Sequence, residues 1–297
     1  MTASVSKRTL RDGHQVTIRW GMVWFFVIVH LLALLACLPM FFSWSALVML
    51  AITGWATMGL GVCLGFHRLL THRSYATRKW IEYTLTVLGS MTWEGSPLMW
   101  VGTHRLHHAE SDQPGDPHSP NDGFGWAHMF WLCYTDHPGQ NPRSAAQDLA
   151  RDPVMRWLDR WWWVGQLALL AVLWAIGGWS WLIWGGPVRM VVTYHLTWFT
   201  NSAAHTWGYR NFATPDRSRN NWWLAIFSFG EGWHNNHHAQ QRSAAHGIRW
   251  WEVDLTYLTI RFMEITGQAW KVVRPQLPTR AQRREIRAGT RVLSDPI

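Results

Sequence analysis

Apolar and polar stretches alternate along this chain in long blocks. Residues 1–19 are polar and basic, with Lys7, Arg8, Arg11 and Arg19. Residues 20–42 are almost wholly apolar, long enough as a helix to cross about 30 Å of hydrocarbon. His30, the one histidine or charged side chain inside that run, is expected as a hydrogen-bonded packing residue. A break at Ser43–Ser45 leads to a second apolar run over 46–66, so the two runs predict a helical hairpin. Gly54, Gly59, Gly61 and Gly65 along the second run predict close approach by another helix or a lipid chain.

Ile81, Leu85, Leu88 and Met91 recur at helical spacing in a stretch too short to span, which predicts an interfacial or core helix over 81–93. From 94 to 160 the chain is polar, and Asp148–Arg160 reads as a charged surface helix. Trp161–Trp184 and Val188–Thr200 are apolar again, with turn candidates at Gly177-Gly178 and Gly185-Gly186-Pro187. They predict two more spans. The polar remainder ends in a basic tail with Arg280, Arg283, Arg284, Arg287 and Arg291. The expected architecture is an all-α integral membrane protein of four transmembrane helices with a histidine-rich cytosolic cap. Its parts are a cytosolic segment 1–19, the spans over 20–200 with a cytosolic insert 67–160, a cap-completing segment 201–275 and the tail 276–297.

Composition sharpens this picture. The chain of 297 residues carries 25 tryptophans, a residue that concentrates at membrane–water interfaces, yet its mean hydropathy is only −0.10. A few spans plus a large water-facing part satisfy both. Lys and Arg are absent from the Ser43–Ser45 turn and abundant in 1–19, 67–160 and the C-terminal part, which places the polar segments in the cytoplasm. The net charge of +9 needs no nucleic acid partner, because an anionic inner leaflet suffices. Cys37, Cys63 and Cys133 follow no disulfide or metal spacing.

The chemistry lies in histidines. His234, His237 and His238 form H-x-x-H-H, and His104, His107 and His108 repeat it. Positions i, i+3 and i+4 share one helix face. His67 and His72 form a looser i, i+5 pair. On an α-helix their side chains diverge by about 140°, so the pair must straddle a helix end or approach one metal from two directions. His205 is a ninth candidate, with Asn201 four residues before it. Nine imidazoles are too many for one metal and suit two with open positions. Imidazole suits Zn, Cu, Fe and Ni, so the residues do not name the metal. Glu231, Asp112, Asp116 and Glu94 are the carboxylates expected to orient the ligand rings, with His118 a further candidate. His14, His128, His137, His195 and His246 read as ordinary histidines. A metal transporter or sensor is the alternative from another class, but it would need ionisable ligands in mid-membrane, and the boxes lie outside the apolar runs.

The boxes His67-Arg-Leu-Leu-Thr-His72, His104-Arg-Leu-His-His108 and Glu231-Gly-Trp-His-Asn-Asn-His-His238 resemble the membrane fatty acid desaturase family, and within it the Δ9 (stearoyl-type) desaturases. The resemblance extends to Asp116-Pro117-His118, Asn201-Ser-Ala-Ala-His205-Thr-Trp-Gly208 and Trp250–Tyr257, and covers roughly 45–275.

It implies a non-haem di-iron centre. His67, His72, His104, His108 and His237 would hold one iron. His107, His205, His234 and His238 would hold the other, with Asn201 acting through a water. It implies a reaction in which O2 and two electrons remove two hydrogens from a saturated acyl chain, leaving a cis double bond. The electrons would come from a separate ferredoxin or cytochrome b5-like protein, and the acyl chain would be carried on CoA, acyl carrier protein or a lipid. Hydroxylation on the same scaffold is the nearest alternative reaction. Animal acyl-CoA enzymes carry an Arg-Asp pair just before the first histidine of box two; here those positions are Gly102 and Thr103, more like the cyanobacterial and plant-type enzymes. Trp55, about 18 Å before His67 along the second run, is expected as the floor of an acyl tunnel.

Overall fold

The computed structural model describes residues 7–135 and 140–277, so the tail from 278 onward lies outside the described residues. A small hairpin, β1 (Lys7–Thr9) with β2 (Gln15–Thr17), precedes helix α1 (Trp20–Leu34). The apolar run then ends in short 3-10 turns, Leu35–Cys37 and Pro39–Phe41, where Pro39 removes a helical donor. Ser43 caps the next helix by accepting from the Ala46 amide. That helix, α2, runs as an α-helix over Trp44–Gly54 and continues as a π-helix over Trp55–Thr71. It therefore carries His67 inside it, not beyond its end as the 46–66 boundary predicts.

Helix α3 (Lys79–Ser90) matches the amphipathic stretch. Helix α4 (Pro97–Ala109) carries box two, α5 is Phe124–His128, and α6 (Pro153–Arg160) is capped by the Asp152 carboxylate. Helix α7 (Val164–Ile183) passes through a π-turn, Trp184–Val188, into α8 (Arg189–Ser202). Gly178 breaks α7 with φ 61° and ψ −154°, a conformation that glycine adopts without a Cβ penalty. The chain folds back there. Gly185 approaches the Leu173 side chain, Gly186 approaches Leu170, and the Gln166 amide reaches the Met190 sulfur at 3.3 Å. Short helices α9 (Trp222–Phe227) and α10 (His234–Ala239) and a final α11 (Leu255–Ile265) complete the described chain.

Among the described residues, three helices are long and apolar enough to cross a membrane: Trp20–Cys37, Trp44–Thr71 and the folded run Val164–His205. The first leaves Trp24, Ile28, Leu31 and Leu34 exposed, an outer surface suited to lipid and not to water. One core joins α2, α3, α4 and α11 through Phe66, Leu70, Leu85, Leu98, Val101 and Ile260. A second joins α1 to α8 through Phe26, Val29, Tyr194 and Trp198. His30 in α1 sits 2.7 Å from the Phe26 carbonyl and 3.2 Å from His195. The outcome is a bundle whose one end brings α2, α4, α8 and α10 together.

Candidate metal centre

That end gathers the histidines. On α2 the π-helix changes the expected geometry. The His72 amide donates to the His67 carbonyl at 3.1 Å, an i→i+5 bond that brings these two residues into line. Their rings lie 4.8 Å apart, so the divergence reckoned for an α-helix does not occur. On α4, His104 and His108 point one way and His107 another. On α10, His237 joins the first set while His234 and His238 join the second. The ligand atoms of His67, His72, His104, His108 and His237 all lie within 4.8 Å of one another, and so do those of His107, His205, His234 and His238.

The facing atoms are Nε2. The Nε2–Nε2 separations are 3.1 Å for His67–His237, 3.0 Å for His104–His108, 2.9 Å for His108–His237 and 3.0 Å for His205–His234. Two nitrogens bound at about 2.1 Å to one ion and at right angles sit about 3.0 Å apart, so the spacing suits neighbouring ligands of a shared metal. The Nε2 atoms of His72, His107 and His238 are buried without a hydrogen-bond partner among the described residues. A buried polar atom left so is costly, and a metal would satisfy it.

Four of the nine opposite ring nitrogens are held by carboxylates. His67 Nδ1 lies 2.7 Å from Glu231, His107 Nδ1 2.9 Å from Asp116, His205 Nδ1 3.0 Å from Asp112 and His238 Nδ1 2.6 Å from Asp216. Such partners place the proton on Nδ1 and turn Nε2 inward. Burial, then the crowding of other imidazoles, pushes His72, His104, His108, His234 and His237 well below the usual histidine range, so these rings are neutral and ligand-ready. Burial also pulls on His107, but Asp116 outweighs it and raises that ring. Despite their own burial, Glu231, Asp112, Asp116 and Asp216 are held below the ordinary carboxylate range by the cations and imidazoles they face. Asp216→Asn is expected to weaken metal binding about 10–100-fold, the usual cost of losing such a partner, with His238 still in place; competition with a chelator measures it.

A pH effect follows for the metal-free protein. The depressed histidines carry an ordinary value near 6.5 when unfolded, so the stability they contribute is present above that pH. It is lost as pH falls from about 6.5 toward their folded values; for His246, buried in the same cluster, that value is about 4. The raised His107 opposes this, one ring against several. The thermal midpoint of the metal-free protein should therefore be lower at pH 5 than at pH 7.5.

A cavity of about 600 Å³ is lined along one face of α4 by Ser96, Met99, Trp100, Thr103 and His104. Asn201, buried on α8 one turn before His205, also faces it. His118 lines the cavity too. Its ring lies 4.2 Å from His107, its Nδ1 is 3.8 Å from Asp116, and burial lowers it to about 3.

Two expectations do not match. Glu94 orients no box histidine. It accepts hydrogen bonds from Trp100 Nε1 at 3.0 Å and Thr197 at 3.1 Å in the cavity wall, and burial raises it to about 7. It touches the centre only through Trp100, whose ring stacks on His104 at 5.1 Å. Trp55 is not a wall of this cavity; it is 50% exposed on the outside of α2. Other residues that matter escape sequence reasoning. Asp216 carries no local signal beyond its turn. His246 reads as an ordinary histidine, yet it is fully buried, with its ring 4.2 Å from His237 and its Nδ1 3.1 Å from Glu231. Arg68, fully buried, pairs with Glu231 at 3.1 Å and Asp254 at 2.8 Å.

Fold and site together define a class: a chain with membrane-length apolar helices that gathers nine histidines into two buried, carboxylate-backed groups beside an aromatic cavity. Comparison with known proteins then gives the family. Residues 42–262 match the model of the fatty acid desaturase family. The chain is 47% identical over 264 residues to an sn-1 stearoyl-lipid 9-desaturase of Anabaena variabilis, covering 89% of this chain and 97% of that one. It is 42% identical to an sn-2 palmitoyl-lipid 9-desaturase of Nostoc sp. (strain 36), covering 92% and 96%. It is also 42% identical to Delta-9 acyl-lipid desaturase 1 of Arabidopsis thaliana, covering 87% and 83%. The chain belongs to the fatty acid desaturase family.

Proposed function

We propose that this protein is a membrane-embedded desaturase that places a cis double bond at the Δ9 position of a saturated acyl chain esterified in a membrane lipid. The observation that carries this reading is the pair of histidine groups, one of whose members, His104, lines an acyl-sized, aromatic-walled cavity. His67, His72, His104, His108 and His237 would hold one iron, and His107, His205, His234 and His238 the other, with Asn201 acting through a water. Two irons there supply, from O2 and two electrons, the oxidising power to strip an unactivated methylene pair, which no side chain possesses. The chain's own residues do the rest. Trp100, stacked on His104 and tied to Glu94, fixes the wall where the acyl chain meets the centre. Phe26, Tyr194 and Trp198 keep that wall apolar and exclude water. Glu231, Asp112, Asp116 and Asp216 hold the imidazole protons on Nδ1.

Four crossings fit the chain: α1, α2 and the two arms folded at Gly178. The absence of Lys and Arg from the Ser43–Ser45 turn supports a cytoplasmic position for the histidine end. A lipid carrier is supported by Gly102. A Cβ there would lie 1.8 Å from the Pro142 carbonyl oxygen, so the backbone of Pro142 closes the place where animal acyl-CoA enzymes carry an arginine. Gly102→Ala is expected to destabilise the protein by about 1–3 kcal/mol through overpacking, read as a lower thermal midpoint. Expression in a desaturase-deficient strain tests the function. Membrane lipids should gain Δ9 monounsaturated chains; hydroxy acids instead would select the hydroxylase, and unchanged lipids would reject both.

A further inference from the structure

Desaturation as proposed consumes two electrons per turnover, which must reach the buried histidines across the surface of the chain. The segment from Trp207 to Asp254 carries His234 and His238 and reaches His238 through Asp216 and His205 through the Arg217–Asp112 contact. It contains five arginines, Arg210, Arg217, Arg219, Arg242 and Arg249, and four acids. All four acids are buried and engaged inside: Asp216 on His238, Glu231 on His67, Glu252 on Asn211 and Asn236, and Asp254 on Arg68. The arginines are left partly or wholly exposed, so the charge this surface presents to a partner is positive. The Arg217 amide donates at 2.6 Å to Asp112, the carboxylate that holds His205. Arg249 stands over the rings of Tyr209 and Trp251, at 5.4 and 5.8 Å.

Aromatic rings continue inward from this surface. Trp250 is 94% exposed and Trp251 38% exposed. Trp251 meets Trp233 edge to face at 5.6 Å; Trp233 is buried, with its indole N–H on the Val253 carbonyl, and it directly precedes His234. A charged patch alone would serve any anionic surface. A patch whose rings lead to a ligand residue of the centre has a narrower use.

We propose that this face, centred on Arg217, Arg219, Arg249 and Trp251, is the docking site of a small acidic one-electron carrier protein, and that electrons enter through Trp251 and Trp233. The inference rests on the desaturase reading. Each docking oxidises one carrier by one electron and reduces the centre by one. Two dockings, O2, two protons and one –CH2–CH2– unit give two oxidised carriers, –CH=CH– and two waters. Opposite charges across such a face act mainly on encounter, so salt should weaken the complex.

The test uses the full chain in detergent and a plant-type [2Fe–2S] ferredoxin as the probe. Its Kd is measured at low and high salt, independently of turnover. An Arg217→Glu/Arg249→Glu double variant should bind about tenfold or more weakly, with a flatter salt dependence, whereas Arg156→Glu on α6 should bind as the wild type does. At saturating ferredoxin, Trp251→Ala should slow ferredoxin oxidation about tenfold, leave reduction by dithionite unchanged, and be partly restored by Trp251→Phe. Binding of an acidic cytochrome b5 domain with the same charge sensitivity would also support the face. Undiminished binding by the double variant would overturn it, and so would a charge reversal that loosens only phosphatidylglycerol vesicles. Wild-type protein that binds the carrier but forms no double bond would reject the desaturase reading and leave the docking face standing.

Discussion

His237→Ala is expected to abolish double-bond formation and to empty the larger histidine group. The ring is central to that group: its Nε2 lies 3.1 Å from His67 Nε2 and 2.9 Å from His108 Nε2, and its face lies against His246. Loss of a partner behind a ligand costs about 10–100-fold in affinity or activity, so loss of this ligand should cost more than about 100-fold. The smaller group, His107, His205, His234 and His238, does not use His237 and should keep its metal. Lipid analysis and metal content of the purified variant read the two effects separately. A His237→Ala protein that still makes the double bond would remove our assignment of the centre.

Arg68→Met should be the most destabilising single change near the site. The guanidinium is fully buried and holds Glu231, Asp254 and the Ala244 carbonyl, the last at 2.6 Å. It joins α2 to the loop before α10 and to the N-terminus of α11, which Asp254 caps by accepting from the Tyr257 amide at 2.8 Å. Methionine fills part of the volume but leaves two buried carboxylates without their cation. Breaking a buried pair in this way costs about 3–5 kcal/mol. For a chain of this size that is roughly 10 °C in the thermal midpoint. Arg68→Lys should recover little, because a single ammonium cannot span both carboxylates with the fork geometry of a guanidinium. Glu231, freed of Arg68, would also hold His67 less firmly, so metal affinity should fall along with stability.

The histidine boxes were readable because ligand spacing on a helix is local information. His104 and His108 had to share a face, and they do. His67 and His72 were harder, since i, i+5 alignment needs a π-helix and nothing in Trp55–Thr71 announces one. The break at Gly178 was one of two glycine turn candidates; the other, Gly185-Gly186-Pro187, is a π-turn within the second arm, and composition did not separate them. The apolar runs were legible from length, although α2 extends to Thr71 and carries polar His67 and Arg68 past the end of the apolar pattern. What failed was long-range. Asp216 meets His238 only after the 208–220 loop folds back, and the place of His246 depends on Glu231. Glu94 was near box two in sequence, but the N-terminus of α4 turns it toward Trp100 and Thr197 in the cavity wall. Trp55 was placed by distance along a helix, and distance does not say which side of the helix faces the acyl chain.

The most direct test of the two-group centre is the iron content of purified protein, measured beside His237→Ala and His234→Ala variants. The two-group centre predicts two irons per chain in the wild type, with each variant losing iron from its own group first. One metal per chain, or a bound metal other than iron in the active enzyme, would contradict it.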